Sequence, residues 1–289
     1  MTYLTKEDWE QNFVQKICDD KSFSDNLQEK KKIFSDFTFL IQKIFKNNLP
    51  KKIIQRIIFS SLIYFYKYVL TNNITFLNLS LTEKLSLYSA CIFLSFKTIN
   101  KLVDIEKLSS SFQNLFNKDK KIKYEIEDIK ELITQKEFEI LFSIQFQINI
   151  DWPYDYFNLI KNYLSQIGIG NDSIKTVINF VNIKINEIIL FPLYLYFTPV
   201  EILISTLNLI KEENKFNYIN INDFIKINSL DIDKDNLGEC SLLINRIIKQ
   251  KKCLEENNNI NINKLKIIKD NKEKEVINFN ALSSIETNM

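Results

Sequence analysis

Three glycines and four prolines are all that interrupt 289 residues. A many-stranded sheet needs turns, and turns draw on glycine and proline for backbone angles that other residues avoid. A chain so poor in both is expected to be all-α. The prolines sit where helices begin. Pro50 precedes KKIIQRIIFSSLIYFYKYVL, Pro153 follows Trp152 ahead of YDYFNLIKNYL, and Pro199 follows Thr198 ahead of VEILISTLNLI. A threonine cap followed by proline in the first turn suits a helix start, because the missing N–H would have no intrahelical partner there anyway. Gly168 and Gly170 break a helix ending near Ile167, with Asn171, Asp172 and Ser173 available to cap the next.

Apolar periodicity gives an N-terminal helix at about 5–20, then helices at roughly 33–47, 51–70, 82–97, 102–116 and 126–145. A second set follows at roughly 153–166, 173–190, 199–213, 221–228 and 237–254. FQINIDWPYDY, a short extended piece, links the sets. Each set has a long helix apolar nearly all round, the mark of a buried one: 53–70 in the first, and 174–190 or 199–210 in the second. The organisation reads as an N-terminal helix and lead-in over 1–32, a first bundle over 33–150, a second over 151–255, and a polar, mobile tail over 256–289.

Several function classes fall away on composition. The 38 Lys+Arg against 36 Asp+Glu leave a net charge of +2, a poor footprint for direct nucleic-acid binding. There is no histidine, so a histidine-based triad is impossible. The four scattered cysteines (Cys18, Cys91, Cys240, Cys253) form no C-x-x-C pair, so no zinc site and no cofactor are expected. The cysteines read as small buried hydrophobes in a reducing compartment. With early acidic residues and no apolar h-region in MTYLTKEDWEQNF, no secretory leader is expected, and no apolar run is expected to reach membrane-span length. DIDKDNLGE, residues 231–239, places Asp231, Asp233 and Asp235 as a calcium loop would, but has Asn236 and Leu242 where glycine and a bidentate glutamate are required. Those acids instead fit the start of the next helix. Nothing assembles a nucleophile, a base and an oxyanion donor, so no enzyme is expected.

Two charges stand out. LSLYSACIFLSFK runs from Leu85 with hardly a polar atom and ends on Lys97, where a cation suits the negative end of a helix dipole. In TQKEFEILFSIQF, Gln135, Lys136, Glu139 and Ser143 recur at helical spacing and read as the solvated face. Glu137 instead continues the apolar stripe of Ile140, Leu141 and Ile144. A carboxylate on such a stripe is exposed by geometry, paired with Lys97, or reserved for a partner's cation.

The residues around both charges resemble the cyclin box. LYSACIFLSFK is similar to its third helix, A-x-x-x-L-A-x-K, with Ala90, Leu94 and Lys97 matching and Ser95 where alanine is common. EFEILFSIQFQINIDWPYDYF is similar to its fifth helix and exit, with Glu137, Ile140, Leu141, Ile144, Phe146 and Ile148 in register and WPY where transcriptional cyclins carry HPY or NPY. INEIILFPLYLYFTPVEILISTLNLI, residues 185–210, and the helix after TKEDW resemble the cyclin H type within the family. Two departures are visible: Ile99 and Asn100 replace the acids that usually follow the lysine, and SDFTFLIQKIFKNN lacks the M-R-x-x-L-x-x-W substrate-docking pattern.

The resemblance implies a cyclin fold, two consecutive five-helix cyclin-box repeats with flanking N- and C-terminal helices. It implies a non-catalytic regulatory subunit that activates a cyclin-dependent kinase by docking on its C-helix. Lys97 would donate to backbone carbonyls of that helix, and Glu137 would hold neighbouring kinase backbone or a basic side chain. Leu94, Leu141, Phe146 and Ile148 would form an apolar socket. The setting implied is a nuclear CDK-activating or transcriptional kinase that phosphorylates kinase T-loops and the RNA polymerase II tail, with a RING-type assembly factor as third subunit. The alternatives are a nucleic-acid-binding cyclin-fold factor of the transcription factor IIB type, and a helical scaffold without a kinase partner.

Overall fold

The computed structural model describes residues 20–45, 49–72, 74, 78–99, 101, 103–118, 122–214 and 216–254. The helix expected at 5–20 lies outside them apart from its last residue, as does the tail over 256–289. Every regular element among the described residues is a helix. The described residues up to Asn245 form one compact unit, and the described residues 246–254, which are helical, belong to a second.

In the first unit the elements run α1 (Asp20–Phe45), α2 (Lys51–Thr71), α3 (Leu81–Thr98), α4 (Ile105–Phe116) and α5 (Ile126–Ser143). They continue with a 3-10 turn (Pro153–Tyr156), α6 (Phe157–Gln166), α7 (Asn171–Ile188), a second 3-10 turn (Pro192–Leu195), α8 (Pro199–Asn214) and α9 (Ile221–Ile227). A further helix, α10, starts at 234. It begins three residues before the expected 237 because the Asp233 carboxylate accepts from the N–H groups of Asp235 and Asn236. That is the capping use foreseen for those acids.

α1 starts thirteen residues ahead of the expected 33. Its buried stripe of Ile33, Phe37, Leu40, Ile41 and Ile44 extends back to Leu27 without a helix breaker. α4 starts at 105 rather than 102 because Asp104 takes the cap position, its carboxylate accepting from the Glu106 N–H.

Two cores result. Residues of α1 to α5 close around α3, whose twelve consecutive residues Leu85–Phe96 are all buried. Burying large apolar side chains such as Leu87, Ile92 and Phe96 contributes about 1.5–3 kcal/mol apiece. α3 is therefore more enclosed than α2, the helix expected at the centre. In the second core α8 is central rather than α7, with Glu201–Leu207 buried in succession. Its start is held by a reciprocal cap in which Thr198 Oγ1 accepts from the Glu201 N–H at 3.2 Å and the Glu201 carboxylate accepts from the Thr198 N–H at 2.7 Å. Gly168, at φ 80°, makes the left-handed turn between α6 and α7.

Between the cores, Phe59 and Ile63 of α2 pack on Trp152, Ile189, Tyr194 and Leu195, so the WPY link and the second 3-10 turn bind the two bundles together. Arg56 lies over the Trp152 ring and pairs with Asp155 at 3.1 Å. One expectation needs correcting here. Lys52–Thr71 within α2 is long and apolar enough to cross a membrane by length and composition. In this fold 61% of its most apolar window is buried in the protein, because it packs on α3 as a core helix.

Candidate partner-docking site

The site is built on the C-terminal end of α3 and the second half of α5, which pack side by side. α3 is placed by a capping box at its other end: Ser80 Oγ accepts from the Glu83 N–H and the Glu83 carboxylate accepts from the Ser80 N–H at 2.8 Å. Ser95, where the family pattern prefers alanine, keeps its buried hydroxyl satisfied. Its Oγ donates to the Cys91 carbonyl at 2.7 Å and lies 2.9 Å from Ser61 Oγ of α2.

Lys97 and Glu137 come together at the rim. Lys97 Nζ donates to both carboxylate oxygens of Glu137, at 2.6 and 2.9 Å, and stands 4.2 Å from the centre of the Phe93 ring. The pair is lopsided: the lysine side chain is 50% exposed and the carboxylate 7%. A buried carboxylate is therefore neutralised by a cation that still reaches water, and part of that cation's hydrogen-bonding capacity faces outward.

α5 ends in a tight reversal. The Ile144 N–H donates to the Ile140 carbonyl and the Phe146 N–H to the Leu141 carbonyl. Gln145 and Phe146 adopt the left-handed region at φ 54° and 57°. Non-glycine residues rarely do so, and the conformation costs about 1–2 kcal/mol each. The reversal leaves Phe146 exposed, while Leu141 and Ile148 lie half-buried against the first core. Leu94, three residues before Lys97, is buried in the core beneath the rim.

Four residues that the sequence reading passed over complete the site. Tyr64 of α2 donates to the Ile148 carbonyl at 2.8 Å and its Oη lies 3.3 Å from Thr98 Oγ1, joining the exit of α5 to the end of α3. Its burial pushes the phenol pKa up to about 12, so it stays a donor at physiological pH. Phe93 carries Lys97. Phe138 and Phe142 are exposed, and with Phe146 they form a row whose successive ring centroids are 5.8 and 5.4 Å apart. The solvated face expected on α5 is thereby corrected: of Gln135, Lys136, Glu139 and Ser143 only Gln135 is exposed. Glu139 accepts from Tyr68 Oη at 2.8 Å and Ser143 Oγ meets Asn72 Nδ2 at 2.9 Å, so this edge locks onto α2. The i, i+4 spacing of Phe138 and Phe142 was the available signal.

No protein-family model and no curated protein matches the sequence. Solved structures do. The chain is 16% identical to one chain in the cryo-electron microscopy structure of the yeast TFIIK (Kin28/Ccl1/Tfb3) complex, with a TM-score of 0.53 over 84% of this chain and 95% of that one. This protein has the cyclin fold. A chain of the CAK complex of Chaetomium thermophilum bound to ATP-γ-S is also similar, at 14% identity and a TM-score of 0.47, over 76% of this chain and 64% of that one. In cyclin-fold terms the Lys97–Glu137 rim belongs to the first repeat. Ile99, which replaces an acid of the family pattern, caps α3 through its N–H to the Ser95 carbonyl and packs into the first core.

Proposed function

We propose that this chain is a regulatory cyclin that binds and activates a cyclin-dependent kinase. The observation that carries the reading is the rim itself: a half-exposed Lys97 anchored on a buried Glu137, beside the apolar surface of Leu141, Phe146 and Ile148. A helix arriving end-on brings unpaired carbonyls in its last turn, and Lys97 is positioned to donate to them while Glu137 holds it in place. Apolar residues of the same helix then cover Leu141, Phe146 and Ile148, with Leu94 supporting them from the core.

Activation in this reading is a population shift. Burying the kinase's C-helix against the first repeat favours its inward state, which completes the Lys–Glu ion pair needed to position ATP phosphates. The cyclin chain contributes no catalytic group. The setting is a CDK-activating or transcriptional kinase in the nucleus, acting on kinase T-loops and the RNA polymerase II tail. Three proteins are named in the yeast complex that contains the similar chain, and a RING-type assembly factor would be the corresponding third subunit here.

The test is co-expression of the full chain with a panel of cyclin-dependent kinases, followed by phosphorylation assays on T-loop and polymerase-tail peptides. A one-to-one complex with kinase activity at least tenfold above that of the kinase alone is expected. A chain that captures none of the panel, or captures a kinase without raising its activity, contradicts the proposal.

A further inference from the structure

The exposed face of α5 continues well beyond the rim. At 100° per residue, Glu127, Glu131, Thr134, Gln135, Phe138 and Phe142 share one stripe about 100° wide, and all six are exposed. One end of the stripe is aromatic and merges through Phe142 into Phe146 of the rim. The other end is acidic. Glu125 and Asp128 are used in a capping box at the start of α5, and Asp104 caps α4. Glu127, Glu131 and Glu106 remain outward, with Lys130 among them bonded to Glu127 at 3.0 Å. The Lys130 ammonium is held above its usual pKa by that hydrogen bond first, and by the nearby charges of Glu106 and Asp104.

We infer that this stripe is a docking strip for a second helix of the protein partner, beside the one held at the rim, apolar over Phe138 and Phe142 and basic over Glu127 and Glu131. Charge complementarity selects the basic end, and continuity with the rim assigns the strip to the partner held at Lys97 and Glu137, so the inference rests on the docking reading. The axial distance from Phe138 to Glu131 is about 10 Å, or two turns. An antiparallel partner helix would therefore carry apolar residues at i, i+4 and i+7 and lysines or arginines about two turns further on. That order also places its cations at its own C-terminus, where the helix dipole favours them. The aromatic row supplies contact area and the acids set orientation and association rate.

The probe is a synthetic helix of about 20 residues with leucines at i, i+4 and i+7 and three lysines about two turns C-terminal, compared with the same peptide carrying glutamates for lysines. The full-length chain is expected to bind the lysine peptide at least tenfold more tightly at low salt, and the preference is expected to shrink in about 0.5 M salt. Glu127→Gln/Glu131→Gln should lose the preference while still binding both peptides. Phe138→Ser/Phe142→Ser, at exposed positions that the fold does not need, should lose both. Equal binding of the two peptides, no binding by the wild type, or undiminished binding by the phenylalanine variant overturns the strip. A chain that activates a kinase yet ignores the peptides keeps the docking reading and loses the strip. One that binds the lysine peptide but captures no kinase keeps the strip's chemistry and loses the reading that assigned its partner.

Discussion

Lys97 and Glu137, forty residues apart, are joined by two hydrogen bonds of 2.6 and 2.9 Å although one side chain is half in water and the other is buried. The asymmetry decides how the pair responds to substitution. Lys97→Ala strands a buried carboxylate and is expected to cost about 1–3 kcal/mol, the range for an unpaired buried charge that water can partly reach. Glu137→Gln removes the charge while keeping the volume, and should recover most of that loss when combined with Lys97→Ala. Urea denaturation of the single and double variants measures the coupling. Strict additivity would show that the two side chains do not interact in solution.

The reversal after α5 is expected to be strained at Gln145, whose φ is 54°. Gln145→Gly should raise stability by about 0.5–1 kcal/mol, after the larger backbone entropy of the unfolded glycine chain is set against the relief. Chemical denaturation tests this, and a loss of stability would show that the left-handed turn is not adopted.

Tyr64 holds the same reversal from beneath. Tyr64→Phe leaves the Ile148 carbonyl without its 2.8 Å donor and should destabilise by about 1–2 kcal/mol. Hydrogen exchange should quicken at Gln147 and Ile148 more than in α3. Uniform change across the first repeat would contradict a local role.

The capping box of α3 makes a pH prediction. Hydrogen bonds from the Ser80 side chain and backbone hold the Glu83 carboxyl below its ordinary 4.5. A carboxyl depressed in the folded state stabilises above the unfolded pKa, and that stabilisation is lost as pH falls through the folded value. Wild type should therefore exceed Glu83→Gln in thermal stability at pH 7, and the gap should close below pH 4.5. A gap that widens on acidification would reverse the sign.

Thiol reactivity separates the cysteines. Burial pushes the Cys240 thiol up to about 12 and raises Cys91 well above its usual value, whereas Cys253 is exposed. Iodoacetamide at pH 8 should label Cys253 in the native protein and reach Cys91 and Cys240 only on unfolding, as read by peptide mass mapping.

Much of this was legible in the sequence. The helix start at Thr198-Pro199 is visible because capping is a local, stereochemical requirement, whereas the helix capped by Asp233 is expected three residues late, at 237. Lys97 and Glu137 were visible because each breaks an apolar pattern, and their spacing left pairing open until α3 and α5 were seen side by side. Which helix is central was harder: α2 and α3 are both apolar, and enclosure depends on neighbours that periodicity does not name. The outward turn of Phe138 and Phe142 was missed for a related reason. Polar residues are assigned to solvent by type, but Lys136, Glu139 and Ser143 face Tyr68 and Asn72, which rotates the phenylalanines outward. Tyr64 offered no signal, since its value lies in a carbonyl 84 residues away.

The central claim is that the rim of Lys97 and Glu137 holds a kinase, and the most direct measurement is the affinity of the full chain for its co-expressed kinase with and without the pair. Lys97→Ala/Glu137→Ala, shown to be folded by circular dichroism at the assay temperature, is expected to weaken binding at least tenfold and to reduce kinase activation in proportion. Undiminished binding and activation by that double variant would contradict the account.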